Sequence, residues 1–579
     1  MLRPSRRQFI RDFTLGAAAA TGVLSLSSFQ SLANQPDPSA LAREFSPFRH
    51  GVASGDPLSD RVILWTRVTP EQPGPQVVSW EMAADADFRH ILRAGVFVTG
   101  PERDYTVKVD AAELTPDTVY FYRFRTAAGL SRSGRTRTLP VGPVDQVKLV
   151  VFSCSNYPAG YFHAYREAAK LEGVHAAVHL GDYLYEYQRD GYASEDAAAL
   201  GREVEPAHEL LVLEDYRQRH AQYRSDPDLQ AVHAALPFIN VWDDHELCND
   251  AWHGGADNHD PDTEGNFFAR RAAAMRAYHE WLPIRAPDPD DRAKISRSFD
   301  FGDLVSLHML DTRHVARDRQ LIFGDYLAGD GSFDEAGFSR DLEDPTRQLI
   351  GEAQTEWLGQ ALARSRAQWQ VLGQQVLMGR MDVPAPVALD QLGVSEYLAL
   401  QDKAAITPTA LNSVEREQLA RSRLPNNLDA WDGYPAARET VLGMARDLDK
   451  NLVVFAGDTH NAWASNLADT NGTPVGVEFA TASVSSPGLE YYRPGEQLAS
   501  GLVRMIDSLK FAETGHRGFM VVTATRFQCL AEWHFISTVK SRAYRTIAGP
   551  RLRVLPGAGN RVLRAVEPAE AAIESLAEA

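Results

Sequence analysis

Cysteine is scarce in this chain: only Cys154, Cys248 and Cys529 occur among 579 residues. Three thiols cannot build the disulfide framework that staples small secreted folds, so stability has to come from packing. Long apolar runs are missing as well. Beyond the N-terminal segment no stretch reaches the roughly 18 apolar residues of a membrane-spanning helix, and no stable membrane insertion is expected. Basic excess is also absent: 59 Lys and Arg face 77 Asp and Glu, a net charge of −18. Without a cationic stripe to neutralise phosphates, no nucleic-acid binding module is expected. Neither repeats nor low-complexity tracts occur. What is present, 44% hydrophobic residues, can bury a large core, and the length suggests two or more domains.

The N-terminus carries twin arginines, Arg6 and Arg7, ahead of a mildly apolar run over 13–28 that is rich in Ala, Gly and Ser. The run ends at Ser31, Leu32 and Ala33, a small-x-Ala cleavage pattern. Residues 1–33 are therefore expected to be a twin-arginine export signal, with the twin-arginine translocation machinery as a transient partner. The mature protein is then expected to be extracytoplasmic, periplasmic or secreted, and exported already folded. An uncleaved anchor is the alternative, although the run is short and mild for a span.

Two folding units are expected in the mature chain. Over 45–140, short alternating strands at 62–68, 77–82, 95–99, 105–109 and 119–126 alternate with turn residues, the pattern of a small all-β sandwich. Leu114, Pro116, Thr118, Tyr120 and Tyr122 resemble the L-x-P-x-T-x-Y-x-Y signature of fibronectin type III domains. This unit offers no candidate ligand and reads as a positioning or interface module. After a linker at 140–146 the texture changes to strands alternating with helices, giving an α/β unit over 147–546. Helices are expected at 161–171, 268–282, 355–366 and 436–449. Strands are expected at 304–310, 369–372, 452–456, 475–480, 518–524 and 528–536. Residues 547–579 read as a C-terminal tail with a short helix, and 321–344 and 382–432 show no usable pattern.

Four apolar runs of the second unit empty into polar residues. Residues 176–180 lead to Gly181, Asp182 and Tyr185, and 147–152 lead to Ser153, Cys154, Ser155 and Asn156. Residues 237–242 lead to Asp243, Asp244, His245 and Glu246; 451–456 lead to Gly457, Asp458, Thr459 and His460. Ligands collect beyond the carboxyl ends of strands in α/β sheets, so the four endings predict one composite metal site. An aspartate can bridge two cations, and a tyrosine three residues later can reach one of them as phenolate. Deprotonating a phenol whose free pKa is about 10 calls for a strong Lewis acid, which favours iron(III) over zinc or magnesium.

The order and spacing of these segments resemble the dinuclear metallophosphoesterases and, among them, the alkaline phosphatase D (PhoD) family, itself similar to the purple acid phosphatases. Against the pattern Asp, GDxxY, GNHE, GHxH, this chain has Cys154 in the first slot and Gly181, Asp182 and Tyr185 in the second. The third slot reads WDDHE over 242–246 and the fourth GDTH over 457–460. Oxygen in place of nitrogen hardens the second site toward calcium or magnesium. The segments at 153–165, 220–226 and 310–313 extend the likeness over most of the chain.

The resemblance implies a metallophosphatase-type two-sheet β-sandwich flanked by helices. It further implies that Cys154, Asp182, Tyr185 and His460 hold Fe3+, and that Asp182 bridges to Ca2+ held by Asp244 and Asp458. Asp243 is the alternative to Asp244, and Mg2+, Zn2+ or Mn2+ are alternatives in the second site. His245 would protonate the leaving group or hydrogen-bond a phosphate oxygen, or else only orient a ligand. Arg224 and Arg313 are the arginines that could grip phosphate, each with a buried ion-pair role as the alternative. The activity implied is hydrolysis of small-molecule or lipid phosphate esters, both monoesters and diesters, with an alkaline optimum. Three other readings stay open: a phospholipase D-like phosphodiesterase, a nonenzymatic surface protein whose sandwich binds partners, and a mononuclear iron oxygenase. The last needs two histidines and one carboxylate on one metal, and only His460 suits.

Overall fold

The α/β unit is built on two mixed sheets that share one core. In the ten-stranded sheet the strands Gln146–Phe152, Ala176–His179 and Pro237–Asn240 run parallel, with Val151 opposite Val178 and Val178 opposite Ile239. In the seven-stranded sheet Val305–Met309, Trp369–Gly373, Leu452–Ala456 and Pro474–Ala480 do the same. Strands buried on both faces read as continuous apolar runs, as these do. One face of the second sheet, including Leu307, Val371, Val453, Phe455 and Phe479, packs into the same core as Val150, Val178, Phe238 and Met520 of the first. Its other face, with Leu372, Leu452, Val454 and Ala456, packs against the helices Gly351–Arg364 and Pro435–Asp447 through Leu358, Leu362, Val441 and Leu442. This computed structural model describes residues 46–288, 290–492 and 497–566. The twin-arginine segment lies outside them. Among the described residues no helix is long and apolar enough to cross a membrane.

Two expectations need correction. The N-terminal strands form two layers around Leu64, Val78, Met82, Val107, Tyr122 and Phe124, but the layers are not a detached module. Val52–Gly55, Val62–Arg67 and Thr106–Ala111 belong to the ten-stranded sheet, joined through Ser54 opposite Pro237 and Gly55 opposite Phe238. The junction covers what would otherwise be an open sheet edge at Pro237–Asn240. The other layer is a separate five-stranded sheet. At its corner the Thr115 amide donates to the Tyr120 hydroxyl at 2.8 Å.

The supposed C-terminal tail begins as a strand: Thr546–Val554 pairs with Cys529–Ile536, burying Leu552 and Val554. Residues 382–432, which had shown no pattern, hold the helices Val394–Ile406 and Ser413–Ala420 and a ribbon of Asp382–Pro384 with Arg423–Pro425. The helix Leu213–Arg224 stops just before Asp226, which caps Pro227–Ala235 through the amides of Asp228 and Leu229.

Candidate metal centre

The four strand endings converge. Cys154 and Asp182 lie beyond neighbouring parallel strands of one sheet, and the Cys154 amide donates to the Gly181 carbonyl at 3.1 Å while Ser155 N–H reaches the Asp182 carbonyl at 2.8 Å. Asp458 and His460 follow the strand Leu452–Ala456 of the other sheet. Cys154, Asp182, Asp458 and His460 all adopt positive φ, between 54° and 63°. Left-handed backbone costs a non-glycine residue roughly 1 kcal/mol or more, so four such residues side by side mark a site whose geometry the surrounding fold imposes.

Two devices hold the loops together. Gly181 has φ +106°, and a Cβ there would sit 2.4 Å from both the Cβ and the amide nitrogen of Asp243, so only glycine lets the two loops touch. The buried Glu246 carboxylate accepts the amides of Asp182 (3.0 Å), Asp243 (2.8 Å) and Tyr183 (2.6 Å). One side chain thereby fixes both the GDxxY loop and the WDDHE loop.

The donor atoms meet inside this frame. The Tyr185 hydroxyl donates to Asp182 Oδ2 at 2.9 Å, lies 3.0 Å from His460 Nε2 and accepts from Ser486 Oγ at 2.8 Å. His460 Nδ1 stands 2.7 Å from the Pro487 carbonyl, which can only accept. The ring is thereby set with its Nε2 lone pair toward Tyr185 and Asp182. Cys154, Asp182 and His460 offer ligand atoms within 4.8 Å of one another; so do Asp182, Asp244 and His245, and so do Asp243, Asp244 and Asp458. Asp182 belongs to the first two groups and Asp244 to the last two. The mouth of the site is at Asp458 and His460, whose side chains are 18% and 14% exposed.

The electrostatics ask for cations. Asp182 Oδ1, Asp243 Oδ2 and Asp244 Oδ1 are buried without hydrogen-bond partners, a costly state for carboxylate oxygens unless a metal takes them up. Burial pushes the Cys154 thiol and the Tyr185 hydroxyl well above their ordinary ranges, and in each the Asp182 charge adds to it. Asp458 is pushed up to about 8 by burial, with Asp429 and Asp244 adding to it despite Arg313. Against the effect of burial, Arg313 and His245 hold Asp244 below the usual carboxylate range. A thiol, a phenol and the Asp243 and Asp458 carboxyls, which resist ionising on their own, form a donor set that a multivalent cation would deprotonate.

Of the two arginines, the fold brings one to the site. Arg313 is fully buried; its Nε reaches Asp243 Oδ1, Nη1 reaches Asp429 Oδ1 (2.7 Å) and Nη2 reaches Asp458 Oδ1 (2.9 Å). Arg224 is elsewhere. It donates to the His50 carbonyl at 3.2 Å with its guanidinium carbon 4.5 Å from the Trp65 ring centre, beneath the N-terminal layers. An arginine fork serves a carbonyl and an aromatic face as readily as a phosphate, which is why its sequence setting misled. His245 sits at the site, with Nδ1 2.8 Å from Glu186 Oε2 and its ring centre 4.2 Å from that of Tyr185. Sequence reasoning missed Glu186, Asp429, Ser486 and Tyr192, whose hydroxyl lies 3.1 Å from His460 Nδ1. Asp429 lies in the patternless segment, and the other three carried no spacing signal beyond their neighbours.

A family model described as PhoD-like phosphatase matches residues 149–533, and one described as PhoD-like phosphatase, N-terminal domain, matches 33–140. Alkaline phosphatase D of Bacillus subtilis (strain 168) is 36% identical over 496 residues, spanning 83% of this chain and 76% of the relative. A solved structure described as that of PhoD superposes with a TM-score of 0.73 at 32% identity, covering 90% of this chain and 92% of the other.

Proposed function

The chain belongs to the PhoD-like phosphatase family and is a phosphoric ester hydrolase, and from that premise we propose that it is an exported alkaline phosphatase acting on monoesters and diesters at an Fe3+/Ca2+ centre. The observation that supports the metal assignment is the pair of donor groups meeting on Asp182, one with Cys154 and His460 and the Tyr185 phenol beside it, the other with Asp244 and His245, Asp244 standing in turn with Asp243 and Asp458. In this reading Cys154, Asp182, Tyr185 and His460 hold iron, while Asp244 and Asp458 share calcium with Asp182. The family likeness favours Asp244 over Asp243, and so does its membership of two of the ligand groups.

Bound cations would supply an acidified water and neutralise phosphate charge. The chain's own residues do the rest. His245 presents a ring nitrogen within 4.8 Å of Asp182 and Asp244 oxygens, in position to protonate the departing ester oxygen. Arg313 spans Asp243, Asp429 and Asp458 and balances their charge in the buried ion-pair role. Residues 1–33 act in this reading as a twin-arginine signal, and the N-terminal layers as a fibronectin type III-like module that braces the catalytic unit.

Elemental analysis of protein purified without added metal tests the centre. One iron with calcium per chain is expected; two zincs and no iron would overturn it. Asp182→Asn should abolish hydrolysis of p-nitrophenyl phosphate and of its bis-ester, and retained turnover would sink the mechanism. Replacing both Arg6 and Arg7 by Lys should block export.

A further inference from the structure

Away from the metal centre, a cavity of about 340 Å³ lies where the N-terminal layers meet the α/β unit. Lys108 of the strand Thr106–Ala111, Arg276 of the helix Phe267–Trp281, and Arg103 and Arg292 from the turns beside them all line it. Two carboxylates line it as well, yet they do not cancel these charges. Glu280 is already held by two guanidiniums, Arg217 at 2.7 Å and Arg276 at 2.9 Å. Glu102 is exposed, and its carboxylate lies over Gly100. Lys108 Nζ donates to the carbonyls of His279 and, at 3.1 Å, of Ile284, neutral acceptors that use two of its three hydrogens. Among the described residues, Lys108, Arg103 and Arg292 make no ion pair; Arg103 rests on the Phe97 ring, 5.1 Å from its centre. Burial pushes the Lys108 amine down to about 7, with Arg103 and Arg297 lowering it further against Asp56 and Glu280. In a chain of net charge −18, acids are plentiful, so three cations left without one around a single hollow call for another counter-charge. An adjoining cavity of about 380 Å³ shares Lys108 and Arg292, but its own charged residues, Asp110 and Arg285, pair with each other at 2.6 Å.

We propose that this seam cavity is a binding site for a small multivalent oxyanion of the phosphate type, held by Arg103, Lys108 and Arg292 and separate from the metal centre. Guanidinium forks match the oxygens of such an ion, and an ammonium adds a point charge with a free donor. The volume falls in the range of small-ligand sites. A bound oxyanion would join the strand Thr106–Ala111 to the loop after the helix Phe267–Trp281, and so tighten the junction of the N-terminal layers with the α/β unit. Its effect is therefore on stability, and the chemistry at Asp182 proceeds without it.

The test uses the intact enzyme and inorganic phosphate as the probe, near neutral pH, comparing the wild type with the double variant Arg103→Ala/Arg292→Ala. Calorimetric titration is expected to find one phosphate more per chain in the wild type than in the variant. At about one hundred times the dissociation constant of that site, phosphate should raise the wild-type melting temperature by roughly 2 °C more than it raises the variant's. The general stabilising effect of phosphate as a salt is common to both proteins and drops out of the difference. kcat/KM for p-nitrophenyl phosphate and competitive inhibition by phosphate are expected to be the same in both. Equal stoichiometry with equal melting shifts would overturn the proposal. So would loss of hydrolysis in step with loss of the extra phosphate, because the ion would then belong to the metal centre. Arg292→Glu, a change at an exposed loop position, should remove the extra phosphate by itself and decides the matter even where the double variant does not fold.

Discussion

The Tyr185 hydroxyl and His460 Nε2 lie 3.0 Å apart although 275 residues separate them in the chain. The phenol also donates to Asp182 and accepts from Ser486, so it stands where thiol, carboxylate and imidazole donors meet. If iron binds there, the purified protein should show a visible tyrosinate-to-iron absorption band. Tyr185→Phe should remove that band and lower kcat by at least about tenfold with an unchanged circular dichroism spectrum. A colourless wild type containing iron would contradict the phenolate ligand.

Asp182, Asp243, Asp244 and Asp458 are gathered in overlapping ligand groups, and the buried Arg313 pairs with Asp243 and Asp458. Stripping bound metal should therefore cost stability as well as activity. Chelation is expected to lower the apparent melting temperature by several degrees, since a ligand present at 1,000 times its Kd contributes about 4 kcal/mol. Adding calcium and iron back should restore both. An unchanged melting curve after verified metal loss would count against a cation-dependent cluster.

Asp432, which accepts the Met381 amide, is buried and pushed up to about 7 by that burial, with Asp382 adding to it. Its folded value lies above the ordinary 3.8, so the folded state binds its proton more tightly than the unfolded one. The effect on stability is therefore absent below about pH 4, grows as pH rises, and is complete above about 7, where it costs at most about 4 kcal/mol. Asp432→Asn should leave stability near pH 4 almost unchanged and raise it above pH 7, as read by denaturant titration at both values.

The two arginines should separate cleanly. Arg224→Met removes a carbonyl contact and a stacking contact, and is expected to lower stability by about 1–2 kcal/mol while leaving the kinetic constants of the folded enzyme in place. Arg313→Met removes the counter-charge of three aspartates and should reduce kcat/KM by at least about 100-fold. Loss of activity in Arg224→Met without loss of stability would restore it to the site.

What was legible in the sequence was local. The runs ending in Cys154, Asp182, Asp244 and Asp458 could be read because a doubly buried strand must be apolar and its ligands can stand only where it stops. The strand Thr546–Val554 could not, because Gly549 and Pro550 imitate a turn. They fall where the pairing register shifts between Glu532 and His534, a place in a ladder that tolerates a residue without an N–H. Asp429 was hidden for a different reason: nothing nearby in sequence reveals that its loop folds back onto Arg313 and Arg317.

The amino-acid order by itself determined which atoms are available, a thiol, a phenol, imidazoles and carboxylates, and that they sit at strand ends. Tertiary structure alone decided that Asp182 joins two ligand groups, that Arg313 enters the site and Arg224 does not, and that Glu186 holds His245. Periodicity and turn chemistry are set by neighbours within a few residues, whereas distances between loops depend on how two sheets pair and pack around a common core.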